Sequence, residues 1–273
     1  MSSNKGKIGI FDSGYGGLTV FKEILKVLPE YDYIYLGDNA RAPYGSRSFE
    51  TVYQFTKECV QLLFEKNCPL VILACNTASA KALRTIQQKD LPVIAPENRV
   101  LGVIRPTAEE IGYFTKTKHI GIFATEGTVK SESYLLEIKK FFPELKVTQE
   151  SCPMWVPLVE NNEHLSPGAD YFIQKHIDNL FQKDKNIDTI LLGCTHYPLL
   201  LQKLKIFLPP EINIISQGSI VAKKLKDYLI RHPEIESRLG KNSNKTFYTT
   251  IESEWFNEKA ELFFGEKVQA NRI

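Results

Sequence analysis

Short apolar runs recur along the chain, and between them apolar side chains return at helical spacing. Ile8-Gly9-Ile10-Phe11, Leu70-Val71-Ile72-Leu73-Ala74 and Thr189-Ile190-Leu191-Leu192 show the first pattern. A continuous run of this kind, bounded by turn residues, reads as a strand buried on both faces. Strands are predicted over residues 7–11, 31–36, 69–74, 92–95, 119–124, 145–151, 187–192 and 212–216. Helices are predicted over 17–28, 48–66, 78–89, 107–114, 128–142, 167–183, 198–208 and 219–231. Pro29, Pro143 and Pro209-Pro210 stand where helices should stop. This alternation predicts an α/β protein whose mostly parallel sheets are flanked by helices.

The pattern also repeats. Ile8-Gly9-Ile10-Phe11 returns as Ile120-Gly121-Ile122-Phe123, each followed by a polar, glycine-containing loop and a helix. A comparable distance downstream of each start lies an apolar run that ends in a cysteine, Cys75 in one case and Cys194 in the other. Two similar domains with a crevice between them are therefore expected. The expected partition is 1–97 together with 210–273 as the first domain and 98–209 as the second. The crossover is expected at 95–106 and the return after Leu208. Residues 238–245 read as a solvated loop, and the aromatic tail 247–264 as packing on the first domain.

In open α/β sheets, ligands bind beyond the carboxyl ends of strands, where both thiols fall. Two thiols presented this way suit a reaction that removes a proton from one face of a carbon and returns one to the other. That is racemase or epimerase chemistry. Asp12-Ser13-Gly14-Tyr15-Gly16-Gly17 leaves the first strand for a helix, whose free N–H groups suit a carboxylate. It is not a dinucleotide fingerprint, since Thr19 occupies the third glycine position, and no lysine follows as in a phosphate loop. Asn76-Thr77 and Thr195-His196 follow the two thiols, in positions that suit helix capping and anion binding alike. The loop 37–45 after the second strand is rich in polar and turn residues and is placed to close over a ligand. Cys59 and Cys68 read as inert packing, Cys152 as a strand end able to approach the crevice but without a polar neighbour, and His119, His164, His176 and His232 as strand-edge or surface residues.

Composition narrows the setting. With 43% hydrophobic and 24% charged residues and a net charge of +2, the chain is an ordinary globular one with no basic field for nucleic acid. Five cysteines without Cys-x-x-Cys spacing argue for reduced thiols, not a disulfide framework or zinc knuckle. No run is long enough to span a membrane, and the opening Met-Ser-Ser-Asn-Lys-Gly-Lys lacks the apolar region of a signal peptide, so a cytoplasmic location is expected.

Taken in order, Asp12-Ser13-Gly14, Gly37-Asp38 with Pro43-Tyr44-Gly45, Cys75-Asn76-Thr77-Ala78-Ser79-Ala80, Val156-Pro157-Leu158-Val159-Glu160 and Gly193-Cys194-Thr195-His196-Tyr197-Pro198 resemble the glutamate racemases of the cofactor-independent aspartate/glutamate racemase family. The resemblance implies interconversion of L- and D-glutamate without a cofactor or metal, supplying D-glutamate for peptidoglycan and so for the cell wall and cell shape. It implies two α/β domains with the site between them. It makes Cys75 and Cys194 the acid/base pair and puts substrate on Asp12, Ser13, Tyr44, Gly45, Asn76, Thr77, Thr195 and His196. Asp12 and His196 are expected to assist catalysis, with Asp38 and Glu160 as further helpers. Glutamate is the expected partner, and a homodimer is left open.

Two departures stand out. Residues 95–101 intervene where the family runs from its Pro-Val-Ile strand directly into Gly-Val-Ile, and Met154-Trp155 replaces small aliphatic residues beside the expected crevice wall. The resemblance thins beyond Ser216. An aspartate or hydantoin racemase, and a non-catalytic binder of a small carboxylate, are the rival readings.

Overall fold

The computed structural model describes residues 5–273. Ten strands run in the order β1 (Ile8–Asp12), β2 (Tyr33–Gly37), β3 (Leu70–Leu73), β4 (Arg99–Gly102), β5 (His119–Ala124), β6 (Lys146–Ser151), β7 (Thr189–Gly193), β8 (Asn213–Ser216), β9 (Lys245–Thr249) and β10 (Ala270–Arg272). They form two sheets, one ordered β10-β9-β2-β1-β3-β4 and one ordered β6-β5-β7-β8. Every pairing is parallel. The repeat seen in the sequence is thus a repeat of topology, since β1–β4 and β5–β8 are laid out in the same spatial order.

Parallel strands need long crossovers, and helices supply them. Helix Gly17–Val27 turns a buried stripe of Leu18, Phe21 and Ile24 to the first sheet. Helix Phe49–Glu65 starts where Ser48 Oγ accepts the Thr51 N–H at 3.1 Å. Helix Pro167–Lys183 covers the second sheet with Ile173, Ile177 and Leu180. The predicted helix 128–142 is in fact two, Glu126–Lys130 and Ser133–Phe141, parted where Glu132 takes a left-handed φ of 54°. That predicted over 107–114 is helix Ile104–Ala108 followed by a single 3₁₀ turn, Ile111–Phe114.

Two expectations need correction. Residues 92–95 are not a strand: Leu91–Ile94 is a short helical turn that follows the π-helical turn Ile86–Asp90, with Pro92 near its start. The place beside β3 is taken by β4, with Leu70 opposite Arg99 and Leu73 opposite Gly102, so the intervening segment 95–101 itself supplies most of the edge strand. The return to the first sheet comes after β8, not at 210, because β8 pairs with β7. Sheet membership therefore changes after Gly102 and after Ser216. The segment 238–245 is exposed over 241–245, as a solvated loop should be, and its backbone is held where Gly240 N–H donates to Gly6 O at 2.7 Å and Asp32 Oδ1 accepts the Asn244 N–H at 2.9 Å.

The aromatic tail does pack on the first sheet. Phe264 stacks on Phe21, and Phe256 on Tyr15, with ring centroids 5.6 and 5.3 Å apart. Each buried ring contributes about 1.5–3 kcal/mol. Among the described residues no helix is long and apolar enough to cross a membrane.

Candidate active site

In the first sheet β1 has β2 on one side and β3 on the other; in the second, β5 has β6 and β7. Loops leaving two adjacent strands at such a reversal of order part toward opposite faces, and a crevice opens between them. Ser13 and Cys75 flank the first crevice, just beyond β1 and β3; Thr125 and Cys194 flank the second, just beyond β5 and β7. Both crevices open into one cavity of about 100 Å³.

Cys75 caps the helix Asn76–Lys81: its Sγ accepts the Ala78 N–H at 3.4 Å and lies 3.3 Å from Ser13 Oγ. Burial pushes this thiol up to about 12, charge on Asp12 adds to the effect, and Ser13 and the Ala78 N–H oppose it. Asp12 is itself buried. Its Oδ2 accepts the Gly14 N–H at 2.9 Å, while its Oδ1 has no protein partner. Burial raises its carboxyl above the ordinary range, against the pull of His196 and of the Gly17 and Gly14 N–H groups.

Cys194 stands beside a histidine–carboxylate pair instead. Its Sγ lies 3.9 Å from His196 Nδ1, and His196 Nε2 lies 2.9 Å from Glu160 Oε1. Burial alone would depress the imidazolium, but the hydrogen bonds to Cys194 and Glu160 outweigh it and lift His196 to about 10. Phe263 meets the same ring edge-on at 5.2 Å. Near neutral pH a cation therefore stands against one sulfur, whereas an acidic side chain lies behind the other. Such a pair is suited to accept a proton on one side of a carbon and donate one on the other.

The two halves meet closely around the cavity. A Cβ added at Gly16 would lie 2.3 Å from Thr195 Oγ1 and 2.4 Å from His196 Nδ1, so only glycine permits this approach. Thr19 Oγ1 donates to Thr195 O at 2.9 Å, and the Gly127 N–H donates to Gly45 O at 2.8 Å.

Of the residues expected at the site, Ser13, Tyr44, Gly45, Cys75, Asn76, Thr77, Glu160, Cys194, Thr195 and His196 all line the cavity. Asp12 stands behind the wall. Asp38 is fully buried away from it: its Oδ2 accepts from Tyr44 Oη and from Arg41 Nε, so it anchors the Tyr44 loop. Trp155 does not shape the wall either. It packs on Phe123 and Tyr197, while Val156 and Pro157 face the cavity. His164 and His176 are buried, contrary to expectation, the latter 2.7 Å from Glu150 Oε1. Cys59 and Cys68 are buried packing as expected, and Cys152, also buried, reaches the cavity wall.

Three residues were missed. Thr125 Oγ1 lies 3.0 Å from Thr77 Oγ1 across the seam, and its place beyond β5 was a signal as good as that of the thiols. Gln217 and Tyr134 bond to Asn76, and no local pattern marks them. Among the described residues no group of three or more His, Cys, Asp or Glu side chains is placed to hold a metal ion.

The family model for Asp/Glu/hydantoin racemases matches residues 8–225. A glutamate racemase from Enterococcus faecalis is 39% identical over 272 residues, 99% of this chain and 97% of that protein. Among solved structures, a glutamate racemase isoform from Bacillus anthracis superposes with a TM-score of 0.88 at 34% identity, covering 98% of this chain and 97% of that one. A glutamate racemase from Francisella tularensis, solved with D-glutamate, gives 0.86 at 30% identity over 98% and 97%. Sequence, topology and the paired thiols agree that this chain belongs to the Asp/Glu/hydantoin racemase family.

Proposed function

We propose that this protein interconverts L- and D-glutamate with Cys75 and Cys194 as the two proton carriers. One observation supports the reading: two thiols at equivalent strand ends of two like sheets face one cavity, Cys75 beside Ser13 and Cys194 beside the His196–Glu160 pair. The bound amino acid presents its α-hydrogen to one sulfur. That sulfur, as thiolate, takes the proton; the electron pair of the C–H bond passes into the planar carbanion; the opposite thiol returns a proton to the other face. Each turnover exchanges the protonation states of the sulfurs, and solvent restores them.

The carbanion places a second negative charge on the substrate carboxylate. The Asn76 amide and the Thr77, Thr125 and Thr195 hydroxyls, all on the cavity wall, are proposed to hold it. Glu160 keeps His196 protonated, and His196 supports negative charge on Cys194. By the family resemblance Cys194 serves L-glutamate and Cys75 D-glutamate, and the product supplies peptidoglycan synthesis in the cytoplasm. Sheet membership supports two domains, residues up to Gly102 with those beyond Ser216 forming the first. A homodimer is compatible with this reading and is not required by it.

The test is direct. Protein dialysed against chelator is given L-glutamate, and optical rotation is followed. Decay toward the racemate is expected. Activity that returns only with added metal or pyridoxal phosphate would contradict the mechanism, and an inert folded protein would favour the binding-protein alternative.

A further inference from the structure

We propose that Gln217 is a positioning residue that fixes which end of the Asn76 amide faces the substrate. The inference rests on the racemase reading above, which assigns Asn76 to the substrate carboxylate. Gln217 sits between β8 and helix Gly218–Arg231, where the chain returns to the first sheet, and only 3% of it is exposed.

The orientation starts from a backbone carbonyl. Val103 O can only accept, and Gln217 Nε2 lies 3.3 Å from it and 3.1 Å from Thr107 Oγ1. The Thr107 hydroxyl is already committed as a donor to Val103 O at 2.9 Å, so it accepts from Gln217. The amide nitrogen of Gln217 must therefore face Val103, which leaves its Oε1 to accept from Asn76 Nδ2 at 2.7 Å. Gln217 Nε2 also donates to Tyr134 Oη, and Tyr134 Oη in turn donates to Asn76 Oδ1 at 2.6 Å.

Both ends of Asn76 are thereby defined. Its oxygen is occupied by Tyr134, one amide hydrogen by Gln217, and the other amide hydrogen has no protein partner, on a side chain that lines the cavity. With the amide reversed, Asn76 would set its oxygen against Gln217 Oε1, leave the Tyr134 hydroxyl hydrogen without this acceptor, and turn its oxygen toward an anion. Val103 follows β4 and Gln217 follows β8, so the residues that set this orientation lie at the two points where the chain crosses between sheets.

A double-mutant cycle tests the role. Gln217→Met keeps the side-chain length and removes both amide ends; Asn76→Ala removes the group it is proposed to orient. In the otherwise wild-type chain Gln217→Met should lower kcat/KM for glutamate about tenfold, the loss of a hydrogen bond worth about 1.4 kcal/mol. In the Asn76→Ala background it should cost less than about twofold, because nothing is left to orient. Equal losses in both backgrounds would show a merely structural role and overturn the proposal. Tyr134→Phe, which loses one hydroxyl, is expected to couple to Asn76→Ala in the same way. It decides the matter should Gln217→Met fail to give a native circular dichroism spectrum. Wild-type protein that does not racemise glutamate would sink the underlying reading instead, so the two failures are distinguishable.

Discussion

His196 stands between a sulfur and a carboxylate, and its hydrogen bonds to both favour its charged form. Its imidazolium is raised from 6.5 to about 10, so its protonation stabilises the fold fully below pH 6.5 and that contribution is lost as pH rises through about 10. The same charge should support activity over the same range. Glu160→Gln removes a partner that raises the imidazolium. The alkaline limb of kcat/KM should therefore move to lower pH, with a fall of about tenfold or more near pH 9. Both directions must fall equally, since the equilibrium constant between enantiomers is unity. An unshifted limb in folded Glu160→Gln would show that His196 does not need this carboxylate. At this scale the sequence is informative where chemistry sits at a strand end, as with Cys75, Cys194 and Ser13. Asp38 is less legible: its neighbours in the chain suggest a ligand contact, while Arg41 and Tyr44 donate to its Oδ2 and Thr250 to its Oδ1.

Elements bring these residues to within contact, and glycines decide how closely. A methyl group at Gly16 would fall 2.3 Å from Thr195 Oγ1, on a rigid seam, whereas one at Gly45 would meet Thr125 Cβ at 3.0 Å, which a small shift relieves. Gly16→Ala should accordingly lose at least about a hundredfold in kcat/KM, the scale of a displacement near 1 Å. Gly45→Ala should lose far less. Steady-state kinetics on both proteins, each checked by thermal melting, compares them; similar losses would contradict the closeness of the Gly16 seam. The strands and their parallel pairing were legible because continuous apolar runs mark buried parallel strands. The mistaken strand at 92–95 has a physical cause. Pro92-Val93-Ile94 looks apolar, but Val93 is 81% exposed, and the edge position went to Arg99–Gly102, which buries Val100 and Gly102 against β3.

As a whole, the molecule is one α/β plan used twice, with the cavity that both thiols line placed where the two copies face each other. Such an enclosed cavity measures the length of its ligand. Glutamate should be preferred to aspartate by at least about 2 kcal/mol in transition-state terms, because a shorter acid leaves polar groups of the wall unpaired. Equal specificity constants would move the assignment to an aspartate racemase. The arrangement of the halves was legible from the repeated Ile-Gly-Ile-Phe starts and their cysteines, but the contacts joining them were not. Thr19 with Thr195 and Asn76 with Gln217 are far apart in the chain and depend on how two helices and two loops meet.

The most direct measurement follows racemisation in heavy water by the wild-type enzyme and by Cys75→Ser and Cys194→Ser. Serine is close to cysteine in size, so both variants should fold, as circular dichroism would verify. Wild type should place solvent deuterium at the α-carbon of the enantiomer it forms, and each variant should lose at least about a hundredfold in racemisation. A folded single variant that still racemises near the wild-type rate would contradict the assignment of one thiol to each face.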